Sequence, residues 1–553
     1  MSFLTHFPAQ SVTFTYPSSN RSDNIMSQVP DHAGYPILQT PPTENDALLP
    51  RLSDDNEAIA NERPLRRIPD SLPRSVWSIA LVEVCDRFAF FGLAAPLQNY
   101  LQNAKDDPLR PGGLGLGQSY ATLINLSFTV WCYVTPIFGA IIADQYLGRK
   151  ATITHASRIY AVGLFILFGS SLSVFESSSV PILALLAAML LIGIGAGGIR
   201  PNVNSLIAEQ YQPAEQRVHK LDTGENVYVD YDMTIQRIFM IFIMLTNAGS
   251  LSSILTTTIE HRQGFPVAFL LPALTFTLIT ILSLSQNTYS SLPTTGSTTL
   301  HAFQAFYIAA RNNWTLDAAK PSAENRHPWP ETFIDELRHC LRASRIFLFY
   351  PIFWASYNQM LTSFISQAAN MNTHGLPNDI MFAINPLSIL LIIPVLDQVL
   401  LPRIRRVGLD LSPIIRITAG FFLCGLGMAY AGILQYSIYH SPPCYTSPRS
   451  VGCPDPNNVH IAWQAPVYII LAISEIFMSA TGLEYAYSHA PGSMKSTIMA
   501  LFLSTYTLGS LLSMLITPFL VDPLMTRAYA VLGIGTWGSG VVFWVYFGGK
   551  RGN

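Results

Sequence analysis

Residues 82–93 read VEVCDRFAFFGL, and their setting decides how the rest of the chain is read. SVWSIAL precedes them at 75–81, and the chain runs on apolar to about Tyr100. A helix of membrane length therefore carries Glu83, Asp86 and Arg87. Each ionisable group at bilayer depth costs at least ~2.5–3.5 kcal/mol on insertion scales. The three sit at i, i+3 and i+4, so Glu83 can pair with Arg87 and all three can share one face. Charges inside a helix bundle persist only when they pair or line a water-filled cavity. A carboxylate beside a guanidinium there can take up a proton and release its partner, which is the chemistry a proton-coupled carrier needs. A static ion pair locking two helices is the alternative.

The whole composition agrees with a bilayer setting. Of 553 residues, 50% are hydrophobic and 12% charged, and mean hydropathy is +0.31. Soluble domains carry about 25% charged residues, so the chain reads as an all-α membrane protein. A net charge of −2 gives no sign of a nucleic-acid partner. Six cysteines in a chain this long make no disulfide framework. Cys85, Cys132, Cys340 and Cys424 fall in or beside apolar segments and read as packing residues. Cys444 and Cys453 lie in the polar loop SPPCYTSPRSVGC and could form one bridge if that loop faces an oxidising space.

Residues 1–74 are rich in Ser, Pro, Asn and Asp and read as a disordered cytosolic tail. They show no cleavable signal pattern, so the first membrane helix serves as the insertion signal. The stretch ENDALLP within the tail resembles an acidic dileucine sorting signal. From Val76 on, apolar stretches near the ~20 residues of a membrane span recur. They lie at 76–101, 119–142, 152–174, 180–207, 235–258, 265–285, 344–365, 379–400, 412–436, 462–486, 494–519 and 528–548. That makes about twelve helices. Basic residues concentrate in the N-terminal tail and the loops on one side, Arg149, Lys150, Arg217, Lys220, Arg311, Lys320, Arg403, Arg405 and Arg406 among them. The positive-inside rule then places both termini in the cytosol and the Cys444/Cys453 loop outside. The expected organisation is a tail at 1–74, six-helix bundles at 75–285 and 344–548, a cytosolic linker at 286–343 and a short tail at 549–553.

An internal echo supports two halves. GAIIADQYLGRK (139–150) follows the second helix, and IIPVLDQVLLPRIRR (392–406) follows the eighth. Both put Asp-Gln at a helix end with basic residues a turn later, as a parallel repeat would. The first copy resembles the loop signature of the major facilitator superfamily, which casts Asp144 and Arg149 as a gating ion pair.

A narrower resemblance follows from the order of several motifs. EVCDRFAFFGL (83–93) is similar to the first-helix Glu-x-x-Glu-Arg-Phe-x-Tyr-Tyr-Gly signature of proton-coupled oligopeptide transporters. Asp86 replaces its second Glu, and Phe90 and Phe91 replace both Tyr. CYVTPIFGAIIADQYLGRK (132–150), GAGGIRPNV (195–203) and TNAGSL (246–251) resemble that family's second-, fourth- and fifth-helix motifs. PIFWASYNQ (351–359), INPLS (384–388) and SEIFMSATGLEYAYSHAPGSMKS (474–496) resemble its seventh, eighth and tenth. SQAANMNTHGLPNDI (366–380) and the cysteine-bearing loop are most similar to the fungal branch.

The resemblance implies a major facilitator fold, alternating access and symport of di- and tripeptides with protons. It implies proton-coupling roles for Glu83, Asp86, Arg87 and Glu475. It implies a substrate site of Arg87, Phe90, Phe91, Tyr133, Arg200, Asn247, Trp354, Asn385 and Glu475. Arg200 would help hold the peptide carboxylate, and Glu475 would attract the ammonium end. Interhelical pairing or core packing is the alternative for Arg200, Asn247, Asn385, Tyr133 and Trp354. Glu484 ranks below Glu475, as part of a packing signature. The resemblance also implies a seventh-helix Arg paired with the tenth-helix Glu475; counting back from Trp354 places it at Arg342, with Arg345 one turn closer, and snorkelling to the cytosolic interface is the alternative for both. Leu126 stands where animal members carry His, and Ala94 where others carry Arg.

No His-rich metal pattern, phosphate loop or nucleophile elbow points to an enzyme or to a metal, so the expected coupling ion is the proton and no cofactor is implied. The expected setting is the plasma membrane, with the vacuolar membrane as the alternative, and a functional monomer. The loss of polar groups on the first helix keeps two other functions open. One is a carrier of nitrate, a modified amino acid or a peptide-like metabolite; the other is a non-transporting peptide sensor.

Overall fold

The computed structural model describes residues 66–68, 70, 72–105, 112–172, 180–209, 218–220, 226–229, 231–284, 298–321, 327–396, 403, 412–446, 453, 455–482, 485 and 495–548. Most of the 1–74 tail, the ENDALLP stretch, Glu484, and all of the second basic repeat beyond Leu396 except Arg403 lie outside these residues.

The first-half helices are α1 (Arg74–Gln102), α2 (Gln118–Ile142), α3 (Arg149–Ser170), α4 (Val180–Glu209), α5 (Tyr231–Ser250), α6 (Ser252–Gln263) and α7 (Phe265–Leu284). Together α5 and α6 make one span, the fifth. In the 286–343 segment lie α8 (Thr298–Arg311) and α9 (Glu331–Ala343), which a reading of that stretch as a plain linker did not anticipate. The second half comprises α10 (Tyr350–Tyr357), α11 (Ser363–Ala369), α12 (Ile384–Val395), α13 (Pro413–Tyr439), α14 (Ala465–Glu475), α15 (Lys495–Ile516) and α16 (Met525–Phe543). The seventh span is broken: α10 passes through a 3-10 turn at Asn358–Leu361 into α11.

Among the described residues, eight helices are long and apolar enough to cross a membrane, and Phe265–Leu278 and Ile380–Val395 form shorter apolar helices. The first helix has the length but carries its charges inside. Leu183, Leu186, Leu190, Leu278, Ile433, Val531 and Ile534 are exposed on the helix surfaces. Such a girdle of bare aliphatic side chains belongs against lipid.

Small residues set the closest helix approaches, as in other membrane bundles. A methyl group on Gly139 of α2 would collide with the Gly197 carbonyl of α4. One on Gly509 of α15 would run into Trp354 of α10. The first approach brings Arg200 on α4 towards α1, and the second fixes the seventh span against the eleventh.

The end of the bundle holding the α1 C-terminus is sealed between the halves by neutral polar bonds. Asn99 and Asn378 exchange reciprocal amide bonds of 2.8 and 3.0 Å. Ser366 Oγ donates to Gln102 Oε1 at 2.7 Å, Asn125 Nδ2 to the Leu361 carbonyl at 3.2 Å, and Gln118 Nε2 to the Leu520 carbonyl at 2.7 Å. Nearby, β4 (Met371–Asn372) pairs in parallel with β5 (Asn457–His460). Cys444 and Cys453 are joined by a disulfide in the loop that leads to β5.

The chain separates into two compact units. The larger, 72–211 with 238–553, holds the helices just described apart from the start of α5. In the smaller, 1–71 with 212–237, β1 (Arg66–Ile68) pairs in parallel with β3 (Asn226–Val229), and β2 (Val218–Lys220) pairs antiparallel with β3. The end of the expected tail is thus a strand, a long-range pairing that local composition does not reveal.

Candidate functional site

A cavity of about 270 Å³ lies between the two halves, below the sealed end. Arg87, Phe90 and Phe91 of α1, Tyr133 of α2 and Asn247 of α5 line it from the first half. Trp354 and Tyr357 of α10, Asn385 of α12, Glu475 of α14 and Tyr506 of α15 line it from the second.

On the first-half side, the α1 charges sort into two pairs that share one neighbourhood. Arg87 Nε donates to Glu83 Oε1 at 2.9 Å, one helical turn away, as the spacing predicts. Arg200 Nε reaches from α4 to Asp86 Oδ2 at 3.0 Å, and Arg87 Nε lies 4.0 Å from the same oxygen. Glu83 and Asp86 are buried, whereas Arg87 keeps 21% of its side chain exposed, on the cavity side. With two acids and two guanidiniums the cluster is balanced, but not saturated. Glu83 Oε2, Asp86 Oδ1 and both Nη atoms of Arg200 lack hydrogen-bond partners.

Arg200 does not line the cavity. Its guanidinium carbon sits 4.4 Å from the centre of the Phe90 ring and 6.0 Å from that of Tyr133, both of which do. The cation therefore stands behind an aromatic wall, and Arg87 is the guanidinium that presents itself to the cavity. Phe90 stacks on Phe128 at 5.9 Å, and Phe91 stacks on Phe382 of the other half at 5.4 Å. Tyr133 lies flat against Tyr506 at 4.0 Å, a second aromatic contact between the halves.

On the facing side, Glu475 Oε2 accepts from Tyr357 Oη at 2.7 Å and from Asn385 Nδ2 at 3.4 Å. Both partners are neutral. The expected pairing of Glu475 with Arg342 is not what the structure places there. Arg342 and Arg345 are exposed, at the end of α9 and in the turn after it, outside the cavity lining. Their chain is still in the amphipathic segment that precedes the membrane, so their side chains point to water. Tyr357 fills the role of neighbour; its signal in the sequence was its place one turn beyond Trp354 in WASY. Tyr506 carried no signal, since LSTYTLGS around it matches none of the motifs that marked the other positions.

The remaining expected residues are also placed. Asn247 lines the cavity, although its Nδ2 is bonded to the Ile243 carbonyl of its own helix at 3.0 Å. Trp354 Nε1 donates to Thr505 Oγ1 at 3.0 Å, which fixes the ring at the wall. Leu126 lines the cavity and Ala94 is buried, so neither offers a polar group. Asp144 and Arg149 form an ion pair of 3.6 Å across the turn between α2 and α3. Among the described residues no group of three or more His, Cys, Asp or Glu could hold a metal ion.

Comparison with known proteins gives one consistent answer. The family model described as the POT family matches residues 150–532. Peptide transporter PTR_A of Candidozyma auris is 40% identical over 509 residues, which span 90% of this chain and 86% of that protein. Peptide transporter PTR2 of Saccharomyces cerevisiae is 39% identical over 511 residues, spanning 91% and 84%. Among solved structures, the POT family transporter PepTSo superimposes with a TM-score of 0.68 at 24% identity, covering 86% of this chain and 98% of that one. The fold is that of the major facilitator superfamily, in an integral membrane protein. The chain belongs to the POT family.

Proposed function

We propose that the protein is a proton-coupled symporter that imports di- and tripeptides by alternating access. The observation that carries this reading is the polarity of the cavity: Arg87 faces it from one half, and Glu475, held by the neutral side chains of Tyr357 and Asn385, faces it from the other. A zwitterionic peptide presents the complementary pair of charges. A cavity of about 270 Å³ is small beside the ≈ 300–1,000 Å³ of ordinary ligand clefts, which favours short peptides.

Charge balance couples the proton to the cargo. The first-half cluster is neutral as it stands, so a peptide carboxylate arriving at Arg87 leaves it one negative charge in excess. Taking up a proton on Glu83 restores the balance and frees Arg87 from its 2.9 Å bond. Glu475 must likewise hold either a proton or the ammonium end of the peptide. Asp86 with Arg200 ties α1 to α4, and Asp144 with Arg149 tightens the α2–α3 turn, so both pairs must adjust when the halves rock. One proton moving through ~100 mV supplies about 2.3 kcal/mol, and one pH unit adds about 1.4 kcal/mol.

The same reading makes the proton the only coupling species, with no catalysis and no cofactor. It assigns function to the monomer, with six-helix halves at 75–285 and 344–548 and both termini in the cytosol of a plasma-membrane carrier. Uptake of labelled dialanine by proteoliposomes under an inward proton gradient tests it; accumulation above equilibrium is expected, and none would refute it. A second reading, a carrier of peptide-like metabolites, rests on the apolar wall of Phe90 and Phe91. Transport that excess dialanine fails to inhibit would favour that reading.

A further inference from the structure

The helix α6, which carries Glu260 near its end, packs against the turn before α12, at whose start Asp379 lies, so the two acids face the same seam at the sealed end of the bundle. One belongs to each half. Asp379 is fully buried, Glu260 is 2% exposed, and none of their four carboxylate oxygens has a hydrogen-bond partner. Among the described residues no cation acts on either group. Asp379 is approached by its own backbone N–H, the amide of Asn99 and the phenol of Tyr468, and Glu260 by Asp379 alone. The Asn99 amide is committed to Asn378, and Tyr468 Oη donates to the Met360 carbonyl at 3.4 Å. His261 and Arg262, next along α6, are exposed.

Two adjacent carboxylates cannot both stay ionised without water, a cation or a donor. The pair must hold at least one proton for as long as this end is closed. The other bonds described between the halves here are neutral amide and hydroxyl links, and these do not respond to pH. When the halves part, water reaches both acids, and their need for the proton ends.

We propose that Glu260 and Asp379 form a proton-binding site distinct from the cavity acids, one that fills as the outward end closes and empties as it opens. It rests on the transport reading for the statement that this end faces outside and opens in the cycle. The sign follows from linkage: the closed state binds more protons, so acid favours closure and rising pH favours opening. Each proton held only by the closed state changes the open-to-closed ratio by up to tenfold per pH unit. Because this proton is taken and returned on the same face, it adds nothing to the proton-to-peptide stoichiometry. It sets how readily the carrier closes over cargo as the external pH changes.

The test uses the full chain in lipid nanodiscs, with spin labels at Tyr120→Cys and Trp463→Cys, two exposed positions at this end. Distances between the labels, recorded from pH 5 to 8.5, should show the open fraction rising with pH. In the double variant Glu260→Gln, Asp379→Asn, that dependence should be shallower by close to tenfold per pH unit. An unaltered slope would overturn the proposal. Should the double variant fail to fold, Asp379→Asn alone removes one of the two acids and the repulsion that opposes closure, and should move the opening midpoint to higher pH; an unmoved midpoint would overturn it too. Dialanine counterflow by the unaltered protein is run in parallel. Its absence would defeat the transport reading while the label distances still judge the carboxyl pair.

Discussion

Arg200 Nε donates to Asp86 Oδ2 at 3.0 Å while the same guanidinium covers the face of Phe90 at 4.4 Å. One cation thereby ties α4 to α1 and backs a wall of the cavity. Asp86→Asn would leave a buried guanidinium without its anion, a loss that costs about 3–5 kcal/mol in buried pairs. The midpoint of thermal unfolding in detergent should fall clearly, and Asp86→Glu should recover most of the loss. A midpoint unchanged by Asp86→Asn would show that the pair does not hold the two helices.

Glu475 is the cavity acid whose described partners, Tyr357 and Asn385, carry no charge. Its Gln variant should bind dipeptides about tenfold or more weakly, since a hydrogen bond to a charged group is worth about 1.5–3 kcal/mol. The variant should also lose most of its preference for a free over an acetylated amino end. Competition assays with both peptides measure this, and a preserved preference would remove Glu475 from the ammonium site.

Phe91 lines the cavity and stacks on Phe382, at a wall where the family signature carries a hydroxyl. Phe91→Tyr should strengthen dipeptide binding several-fold, in keeping with the ~0.5–1.5 kcal/mol net value of one added hydrogen bond. Binding that is unchanged or weaker would show that the ring serves packing or another cargo.

Acid sensing should not reside in the 286–343 segment. There Arg338 Nη2 donates to Asp317 at 2.8 Å, and this bond, with help from Lys320, holds the Asp317 carboxyl below its ordinary value. A depressed carboxyl contributes its stabilisation above the ordinary value of about 4 and loses it only as pH falls further. The network is therefore intact across pH 5–8. Asp317→Asn should leave the pH profile of uptake unmoved; a shifted profile would place a sensor in the linker.

The sequence revealed some of this more readily than the rest, and the reasons are physical. Membrane spans declare themselves through unbroken apolar length, and the Glu83–Arg87 bond through a four-residue helical spacing. The partner of Asp86 lies 114 residues away, so only the family motif pointed to Arg200, and nothing local foretold that Phe90 would screen it from the cavity. The break at Asn358–Leu361 falls on the polar pair Asn358-Gln359, but the apolar stretches on either side are long enough that together they read as one span. Arg342 was counted onto the seventh helix by spacing from Trp354, but the chain enters the bundle later than that count assumes. Strand β1 and the Glu260–Asp379 pair both depend on long-range contacts. Neither leaves a periodic trace.

The central claim is that proton uptake at Glu83 releases Arg87 and lets the cycle run uphill. It is tested most directly by Glu83→Gln in proteoliposomes, comparing gradient-driven uptake of labelled dialanine with its counterflow at equal pH. The account predicts that counterflow stays measurable while acid-driven accumulation disappears. Accumulation at the level of the unaltered protein would contradict it.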